Sequence, residues 1–311
     1  MLTRRIGSLD VSVIGLGCNN FGRRLDAQAT NKVVGAALAE GINLFDTADI
    51  YGSTHSEEFL GKALGKHRKD VVIATKFGKE VDEYRNGAHP DYVLRAAEDS
   101  LRRLGTDYID LYQLHEPDKS VPIADTLGAL DQLVQAGKVR EIGCSNFTID
   151  QVREADAAAK PGASRFASVQ NEYSIFHRQP ELDVLPECSA TGMAFLPYFP
   201  LANGLLTGKY RRGQPAPKGS RIESGWHGEL LTGANIEIVE ELIEFAAGCK
   251  RTILDLAFSW ILTRPMVASV IAGATSAEQV QANANAGTWH LSDLDLEKIN
   301  VIAPTRAMTL Q

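Results

Sequence analysis

The chain has 311 residues, of which 44% are hydrophobic and 23% are charged, and these proportions are typical of a globular protein. The formal net charge is -7 at pH 7, and no run of lysine or arginine interrupts the acidic balance. Nucleic-acid binding depends on a basic surface that displaces counterions, so the composition argues against a nucleic-acid partner.

The N-terminal segment and the cysteines bear on the cellular compartment. The segment MLTRRIGSLDVSVIGLG is broken by charged residues and glycines, so it lacks the apolar core of a signal peptide. No stretch reaches the roughly 18 apolar residues of a membrane helix. We therefore expect a cytoplasmic protein with no membrane partner. The cysteines are scattered without a CxxC pair or clustered histidines, which predicts reduced thiols and no metal site: Cys18, Cys144, Cys188 and Cys249.

Short apolar runs alternate along the chain with longer segments of helical period. Helical segments show apolar residues three or four positions apart, as at Leu94, Ala97, Leu101 and Leu104. Alternating buried strands and helices favour a parallel sheet, and a count of eight predicts a (β/α)8 TIM barrel formed as a single domain over 1–311. The eight predicted strands are 11–17, 42–45, 71–76, 108–115, 141–146, 167–172, 193–198 and 267–273.

Two segments fall outside this alternation. The first dozen residues predict an N-terminal β-hairpin with its turn at 8–10. The glycine-rich segment 203–235 predicts a long loop after strand 7, because it is too long for a simple connection. Helix starts are predicted at Thr148 and Ser276, each followed three residues later by a glutamine, as in a capping box.

The stretch GLGCNNFG at 15–22 raises a doubly wound, dinucleotide-binding sheet as an alternative. The fingerprint of that fold is GxGxxG opening a helix, but here the third glycine comes five residues after Gly17. The spacing therefore favours the barrel, with Gly17 at a closely packed strand end that has some capacity to contact a cofactor.

Polar residues follow three of the predicted strands at the end where a barrel holds its active site. Asp46 ends the second strand, Lys76 the third and His115 the fourth, while Tyr51 lies on the loop after the second. A lysine ammonium beside a phenol stabilises the phenolate and is expected to lower the pKa of the phenol, and an aspartate keeps the lysine charged. These side chains predict a proton donor for an oxyanion, with the histidine orienting a carbonyl oxygen. Each residue alone also has a purely structural interpretation.

Several blocks resemble the aldo-keto reductase family, in order and over nearly the whole chain: LFDTADIYG (44–52), ATKFG (74–78), DLYQLHEPD (110–118), GCSNF (143–147), QNEYS (170–174), YFPLANGLLTGKY (198–210) and IAGATSAEQVQAN (271–283). The resemblance implies a barrel in which Tyr51 donates a proton, Asp46 and Lys76 adjust its acidity, and His115 orients a carbonyl. It also implies NAD(P)H-dependent reduction of an aldehyde or ketone.

The same resemblance implies where the cofactor binds. Ser145, Asn146 and Gln170 correspond to contacts with the nicotinamide carboxamide, and Tyr198 to the ring stacked on the nicotinamide. The segment 199–209 is expected to cover the pyrophosphate, and 273–283 to meet the adenine end, where Ser276 opens a helix. The complete predicted set for the cofactor is Gly17, Asp46, Ser145, Asn146, Gln170, Tyr198, Phe199, Leu201, Gly204, Lys209, Gly273, Ser276, Gln279 and Asn283.

Two positions at the adenine end bear on the choice between NADPH and NADH. One branch of the family holds the 2′-phosphate with a lysine and an arginine, whereas this chain has Gly273 and Gln279 at those positions. Many family members with a similar GA…Q…N block use NADP, so we expect NADPH, with NADH or dual use left open. The loss of a bidentate guanidinium removes roughly 1.5–3 kcal/mol of phosphate recognition.

The substrate is poorly specified by the sequence. Phe21, Phe147 and Trp226 are candidate apolar walls of the substrate site, together with Tyr51 and His115, although the three also suit loop packing. A small-molecule carbonyl or alcohol is the expected partner.

Two alternative functions compete with carbonyl reduction. The first is an NADPH-binding regulatory or partner subunit with slow turnover, and the second is a metal-dependent hydrolase, for which too few ligands follow the strands.

Overall fold

The computed structural model describes residues 1–218, 220, 223 and 228–305. Two strands come first, β1 (Thr3–Ile6) and β2 (Leu9–Ser12). Eight further strands form one parallel sheet in the order β10-β3-β4-β5-β6-β7-β8-β9. Their bounds are β3 (Ile14–Gly17), β4 (Leu44–Asp46), β5 (Val72–Phe77), β6 (Ile109–Leu114), β7 (Val139–Ser145), β8 (Phe166–Glu172), β9 (Ala194–Tyr198) and β10 (Val270–Gly273).

The two ends of this sheet meet, which closes it into a barrel. Phe195 on β9 forms a parallel bridge with Val267, just before β10. The Phe195 N–H donates to the Met266 carbonyl at 2.8 Å, and the Ala268 N–H donates to the Phe195 carbonyl at 3.0 Å. The predicted (β/α)8 TIM barrel is thus confirmed.

Helices connect the strands and cover the outside of the barrel. Thr148 and Gln151 form the predicted capping box at the start of one of them. At Ser276 the box is only half formed, because the Gln279 side chain accepts from the Thr275 N–H instead. The helices are α1 (Ala27–Ala39), α2 (His55–Leu64), α3 (Pro90–Leu104), α4 (Ile123–Gln135), α5 (Ile149–Ala158), α6 (Val184–Thr191), α7 (Gly233–Gly248), α8 (Ile253–Leu262), α9 (Ala277–Ala286) and α10 (Asp293–Ile302).

The hairpin closes the N-terminal end of the barrel. Its side chains Ile6, Leu9 and Val11 are buried in one cluster with the inward-facing Leu44 and Leu111. The predicted turn at 8–10 is wrong by one position. Strand pairing runs to Ile6 and Leu9, so the turn residues are 7 and 8. Gly7 has φ of +54°, the left-handed conformation that a two-residue turn of this kind requires.

Side chains along each strand alternate between the barrel interior and the helices, as the pleat of a β-strand dictates. On β4 and β5, Leu44, Val72 and Ala74 belong to the interior cluster, whereas Phe45 and Ile73 belong to the core between sheet and helices. The interior is therefore apolar at the N-terminal end. The next inward positions toward the C-terminal end carry polar side chains.

Two predicted boundaries need correction. The first predicted strand, 11–17, is divided between β2 and β3, because Val11 pairs with Arg4 in the hairpin. The predicted loop 203–235 includes short 3-10 turns at Ala202–Thr207 and Gly228–Leu230, and it ends before Gly233. Helix α7 begins there because the Thr232 side chain accepts the Asn235 N–H. Within the described residues, no helix has the length and apolar character needed to span a membrane.

Candidate active site

A cavity of about 1330 Å³ opens at the C-terminal ends of the barrel strands. Most of the residues predicted from the sequence line it, although they are far apart in the chain. Their convergence follows from the parallel sheet, which brings all eight strand ends to one rim. The predicted residues that line it are Gly17, Asp46, Tyr51, His115, Ser145, Asn146, Gln170, Tyr198, Phe199, Leu201, Gly204, Lys209, Gly273, Gln279 and Asn283.

A buried ion pair lies at the base of this cavity. The Lys76 Nζ donates to Asp46 Oδ2 at 2.7 Å and to the Thr47 carbonyl at 2.8 Å. Both side chains are almost completely buried. Gln170 Nε2 donates to the other carboxylate oxygen, Asp46 Oδ1, at 2.8 Å. Gln113 Nε2 adds a longer contact to the same oxygen at 3.5 Å, so the Asp46 carboxylate is held by donors from β5, β6 and β8.

Tyr51 and His115 lie above this ion pair. The Lys76 Nζ is 5.2 Å from the centroid of the Tyr51 ring. The rings of Tyr51 and His115 have centroids 5.8 Å apart and meet edge-to-face at 82°. The four side chains singled out in the sequence therefore converge in one place: Asp46, Tyr51 and His115 line the cavity, and Lys76 is buried beneath them.

The net effect on the Tyr51 hydroxyl differs from the prediction. Burial raises the pKa of Tyr51, Lys76 lowers it and Asp46 raises it, so that the pKa lies above its ordinary value of 10.0. The predicted effect of Lys76 is present, but the predicted net lowering is wrong, because loss of hydration and the nearby carboxylate outweigh it.

The other two ionisable groups have well-defined charge states. Burial works to lower the pKa of the Lys76 ammonium, but Asp46 and Tyr51 outweigh it and raise the pKa above 10.5. Burial, with Lys76 and Lys79 adding to it, lowers the pKa of His115 well below 6.5. At neutral pH the site therefore holds a charged lysine and a neutral imidazole.

The polar side chains predicted to contact a carboxamide hold one another in place. Asn146 Nδ2 donates to the His115 carbonyl at 2.9 Å, and the Tyr198 hydroxyl donates to Asn146 Oδ1 at 2.7 Å. Ser145 Oγ donates to the Gln170 carbonyl at 2.8 Å. The hydrogen bonds link the ends of β6, β7, β8 and β9 around one wall of the cavity.

Backbone strain is concentrated around the same cavity. Seven non-glycine residues among those described have positive φ, a conformation that costs roughly 1–3 kcal/mol for a side chain other than glycine. Six of them lie at the cavity or directly beside a residue that lines it: Ser53, Thr54, Asn146, Phe199, Ala202 and Asn203. Strain of this kind is typical of segments shaped to bind a ligand.

Several features fit a long polar ligand such as a dinucleotide. Asn203 lines the cavity and is 4% exposed, yet neither its amide nitrogen nor its oxygen has a hydrogen-bond partner. Gly17 and Gly273 lie opposite each other in the β3–β10 pair, and a Cβ on Gly17 would come within 3.5 Å of the Gly273 nitrogen. The bare backbone there allows close approach, and the unpaired amide offers both a donor and an acceptor.

Three residues predicted to contact the cofactor or substrate do not line the cavity. Phe21 and Phe147 were expected to form substrate walls, but both are buried in the apolar core, and Phe147 packs edge-to-face on Phe166. Both rings therefore belong to the core and not to the substrate walls, because burying an apolar ring is more favourable in free energy than leaving it at a solvated rim. Ser276 caps helix α9 and accepts from the Gln279 N–H. Trp226 lies outside the described residues.

The sequence reasoning missed residues after the first barrel strand. Asn19, Asn20, Arg23 and Arg24 line the cavity, as does Thr275 after β10. The rule that polar residues past a strand end face the site applies to Asn19 and Asn20 directly. Among the described residues, no group of three His, Cys, Asp or Glu side chains is placed to hold a metal.

Residues 13–303 match the model of the aldo/keto reductase family. The chain therefore belongs to the aldo/keto reductase family.

Individual relatives are similar over nearly their whole length. A probable aldo-keto reductase 1 from Glycine max is 34% identical, with 95% of this chain and 86% of the relative covered. An NADH-specific methylglyoxal reductase from Escherichia coli is also 34% identical, with 93% and 94% covered. The solved holo form of aldo-keto reductase AKR11C1 from Bacillus halodurans superimposes with a TM-score of 0.83 and 32% identity, covering 100% of this chain and 99% of that structure.

Proposed function

We propose that the protein reduces an aldehyde or ketone to an alcohol with a nicotinamide dinucleotide, in a reversible reaction. The observation that carries the proposal is the buried Lys76–Asp46 pair beneath Tyr51, with the neutral His115 across from it. When bound, the dinucleotide supplies the hydride. The protein donates the proton and orients the substrate carbonyl.

Tyr51 is the proton donor in this proposal. Because its pKa lies above 10, the hydroxyl is protonated at neutral pH. An alkoxide is a far stronger base than a phenolate, so the proton moves from Tyr51 to the product oxygen even with this raised pKa. The charged Lys76 then stabilises the phenolate, and Asp46 holds the lysine in place. The reverse reaction needs the phenolate and is favoured at high pH.

His115 orients the substrate carbonyl. Its imidazole is neutral at neutral pH, so one ring nitrogen carries a hydrogen for donation to the carbonyl oxygen. Next to His115, Ser145, Asn146 and Gln170 are proposed to hold the carboxamide, and Tyr198 to stack on the nicotinamide ring. Support comes from their mutual hydrogen bonds and shared cavity wall. Fixed polar groups of this kind orient a ligand without reorganising when it binds.

The preferred cofactor is proposed to be NADPH, with NADH kept open. Gln279, at the position where one branch of the family has an arginine, already accepts from the Thr275 N–H at 2.8 Å and from the Thr275 hydroxyl at 3.1 Å. It therefore offers little specific recognition of a 2′-phosphate, which is why NADH is kept open, whereas the GA…Q…N block is the reason for proposing NADPH. Titration of both cofactors by quenching of protein fluorescence tests the preference, and tighter binding of NADH would overturn it.

The experiment for the function itself is Tyr51→Phe. The change removes one hydroxyl and is expected to lower kcat for aldehyde reduction by roughly 10²–10⁴-fold, the usual effect of losing a general acid. The affinity for NADPH should stay within about twofold of wild type. Tyr108→Phe is the matched control, since Tyr108 stacks under Arg68 away from the cavity. Near-wild-type turnover in Tyr51→Phe rules out the assigned donor.

The alternative role as an NADPH-binding partner subunit makes a different prediction. It expects bound cofactor but negligible turnover with any carbonyl, in wild type and Tyr51→Phe alike. A screen over aldehydes, ketones, sugars and alcohols separates the two and identifies the substrate. A cytoplasmic location is part of the proposal, supported by four free cysteines, of which three are buried.

A further inference from the structure

A second cluster of buried polar side chains lies behind the active-site loop, on the helix side of the sheet. It consists of Asp49, Glu57, Thr75, Tyr92, Arg103 and Tyr112, and we call it the rear cluster. Thr75 is adjacent to Lys76 on β5, so its side chain points away from the barrel interior. None of these residues lines the active-site cavity. The reaction proposed above assigns the rear cluster no role.

The rear cluster holds two buried carboxylates, Asp49 and Glu57. Its cation, Arg103, forms an ion pair with Glu57. Glu57 Oε2 accepts from Arg103 Nε at 2.6 Å, and Glu57 Oε1 accepts from the Thr75 hydroxyl at 2.6 Å. Asp49 is 3% exposed; the Tyr92 hydroxyl lies 3.5 Å from its Oδ2, and the Ile50 N–H also donates to its carboxyl group. Asp49 Oδ1 and the buried Tyr112 hydroxyl have no partner. Burial with so few donors disfavours the charged form of a carboxyl group and favours the neutral acid.

Asp49 is connected to the proposed proton donor through a short, rigid segment. Its N–H donates to the Lys76 carbonyl at 3.0 Å, and the Tyr51 N–H donates to the Ala48 carbonyl at 3.2 Å. On the far side, the Ser56 N–H donates to the Tyr51 carbonyl at 3.2 Å. Only one residue separates Asp49 from Tyr51. A displacement of the Asp49 side chain therefore moves the backbone that carries the Tyr51 hydroxyl.

We propose that Asp49 is a positioning residue, whose neutral carboxyl lets the rear cluster hold Tyr51 against Lys76, and that loss of this proton displaces Tyr51 and weakens the reduction. The proposal rests on the function proposed above. Ionisation leaves two carboxylates facing one guanidinium, and the loop must open to water or shift to relieve the charge. A shift of about 1 Å in a reacting group costs up to roughly 10²-fold in rate.

The groups around Asp49 place its ionisation in an accessible pH range. Burial and then Glu57 raise the pKa of Asp49 to about 7, while Arg103, the Ile50 N–H and the Tyr92 hydroxyl oppose this. The groups that face it are Glu57 from α2, Tyr92 and Arg103 from α3, Tyr112 from β6 and the Lys76 backbone from β5. The pKa of His115 lies well below 6.5, and those of Tyr51 and Lys76 lie above 10. Among these four groups, Asp49 is therefore the one expected to titrate near neutrality.

The test compares the pH dependence of kcat in wild type and Asp49→Asn. At saturating NADPH, we expect wild-type kcat for reduction to fall roughly tenfold or more as pH rises through about 7. Asp49→Asn keeps the shape of the neutral acid, so it should retain the low-pH kcat without this inflection, until Tyr51 ionises. Repeating the pH profile with NADH shows whether the 2′-phosphate of NADPH, which has a pKa of about 6, contributes to the inflection. A flat wild-type profile, or the same inflection in Asp49→Asn, overturns the proposal.

Glu57→Gln gives a second test that depends on charge. Removing the neighbouring carboxylate lowers the pKa of Asp49 and frees Arg103, so the inflection should move toward acid by one pH unit or more. A merely structural role for Glu57 predicts a uniform loss of activity with an unmoved inflection, and that result contradicts the proposal.

A third measurement does not depend on turnover, so it separates this proposal from the proposed function. With carbon-13-labelled tyrosine, the Tyr51 ring signal, assigned by its absence in Tyr51→Phe, should shift between pH 6 and 8 in wild type. The shift should be missing in Asp49→Asn. If the protein proves to have no reductase activity, this result alone still upholds the coupling of Asp49 to Tyr51. A Tyr51 signal that does not change between pH 6 and 8 refutes the coupling.

Discussion

Replacing Lys76 with methionine tests how the buried ion pair contributes to stability. Lys76→Met keeps most of the side-chain volume but removes the ammonium 2.7 Å from Asp46. Asp46 is 3% exposed, so the remaining carboxylate keeps only its bonds from the glutamine amides. Breaking a buried pair in this way costs about 3–5 kcal/mol of unfolding free energy. For a chain of this size we expect a fall in Tm of roughly 6–15 °C.

The double variant Asp46→Asn/Lys76→Met separates the free energy of the ion pair itself from the cost of leaving one buried charge unpaired. Removing both charges should recover at least half of the lost stability, because much of the single-variant cost is an unpaired carboxylate. Urea unfolding followed by tryptophan fluorescence gives the four free energies of the cycle. Turnover should not recover in the double variant, since the phenolate has lost its cation. A single-variant cost under about 1 kcal/mol, or a double variant as unstable as the sum of both changes, refutes this reasoning.

Three other predictions concern stability. Gly52→Ala should lower the free energy of unfolding by roughly 1–3 kcal/mol, as measured by thermal unfolding. Gly52 has φ of +59°, and a Cβ there would lie 2.2 Å from the Phe21 carbonyl oxygen. The pKa of Asp49 is raised from 3.8 to about 7, so its contribution to stability is fully present below about pH 4, is lost between about pH 4 and 7, and stays constant above that range. Relative to Asp49→Asn, wild type should lose up to roughly 4 kcal/mol of unfolding free energy across this window, measured by urea unfolding at several pH values. Asp110→Asn should cost roughly 2–4 kcal/mol without changing kcat, because Asp110 binds two arginines away from the cavity.

The barrel was predictable because its strands leave a strong pattern. Parallel strands covered on both faces form continuous apolar runs, and those runs were visible for all eight barrel strands. The same geometry made Asp46, Lys76 and His115 predictable, since each is the polar residue at a strand end. The prediction of one domain over 1–311 stays a prediction.

Other features depend on contacts between distant segments and could not be read from a local pattern. Phe21 and Phe147 follow strand ends just as the site residues do, but their rings turn into the core. The pKa of Tyr51 depends on how deeply the phenol is buried, and no sequence pattern gives that depth. The rear cluster joins Asp49 and Glu57 to Arg103, which lies 46 residues after Glu57 in the chain. Only the packing of α2 on α3 brings these groups together.

The transfer of hydride from bound NADPH in a single turnover tests the central claim most directly. Enzyme loaded with one equivalent of NADPH is mixed with 4-nitrobenzaldehyde, and the loss of nicotinamide absorbance is followed in a stopped-flow instrument. The account predicts rapid oxidation by wild type and a rate at least roughly 10²-fold lower for Tyr51→Phe. Oxidation at the same rate in both proteins, or in neither, would contradict the assignment of the Tyr51 hydroxyl as the acid that completes the reduction.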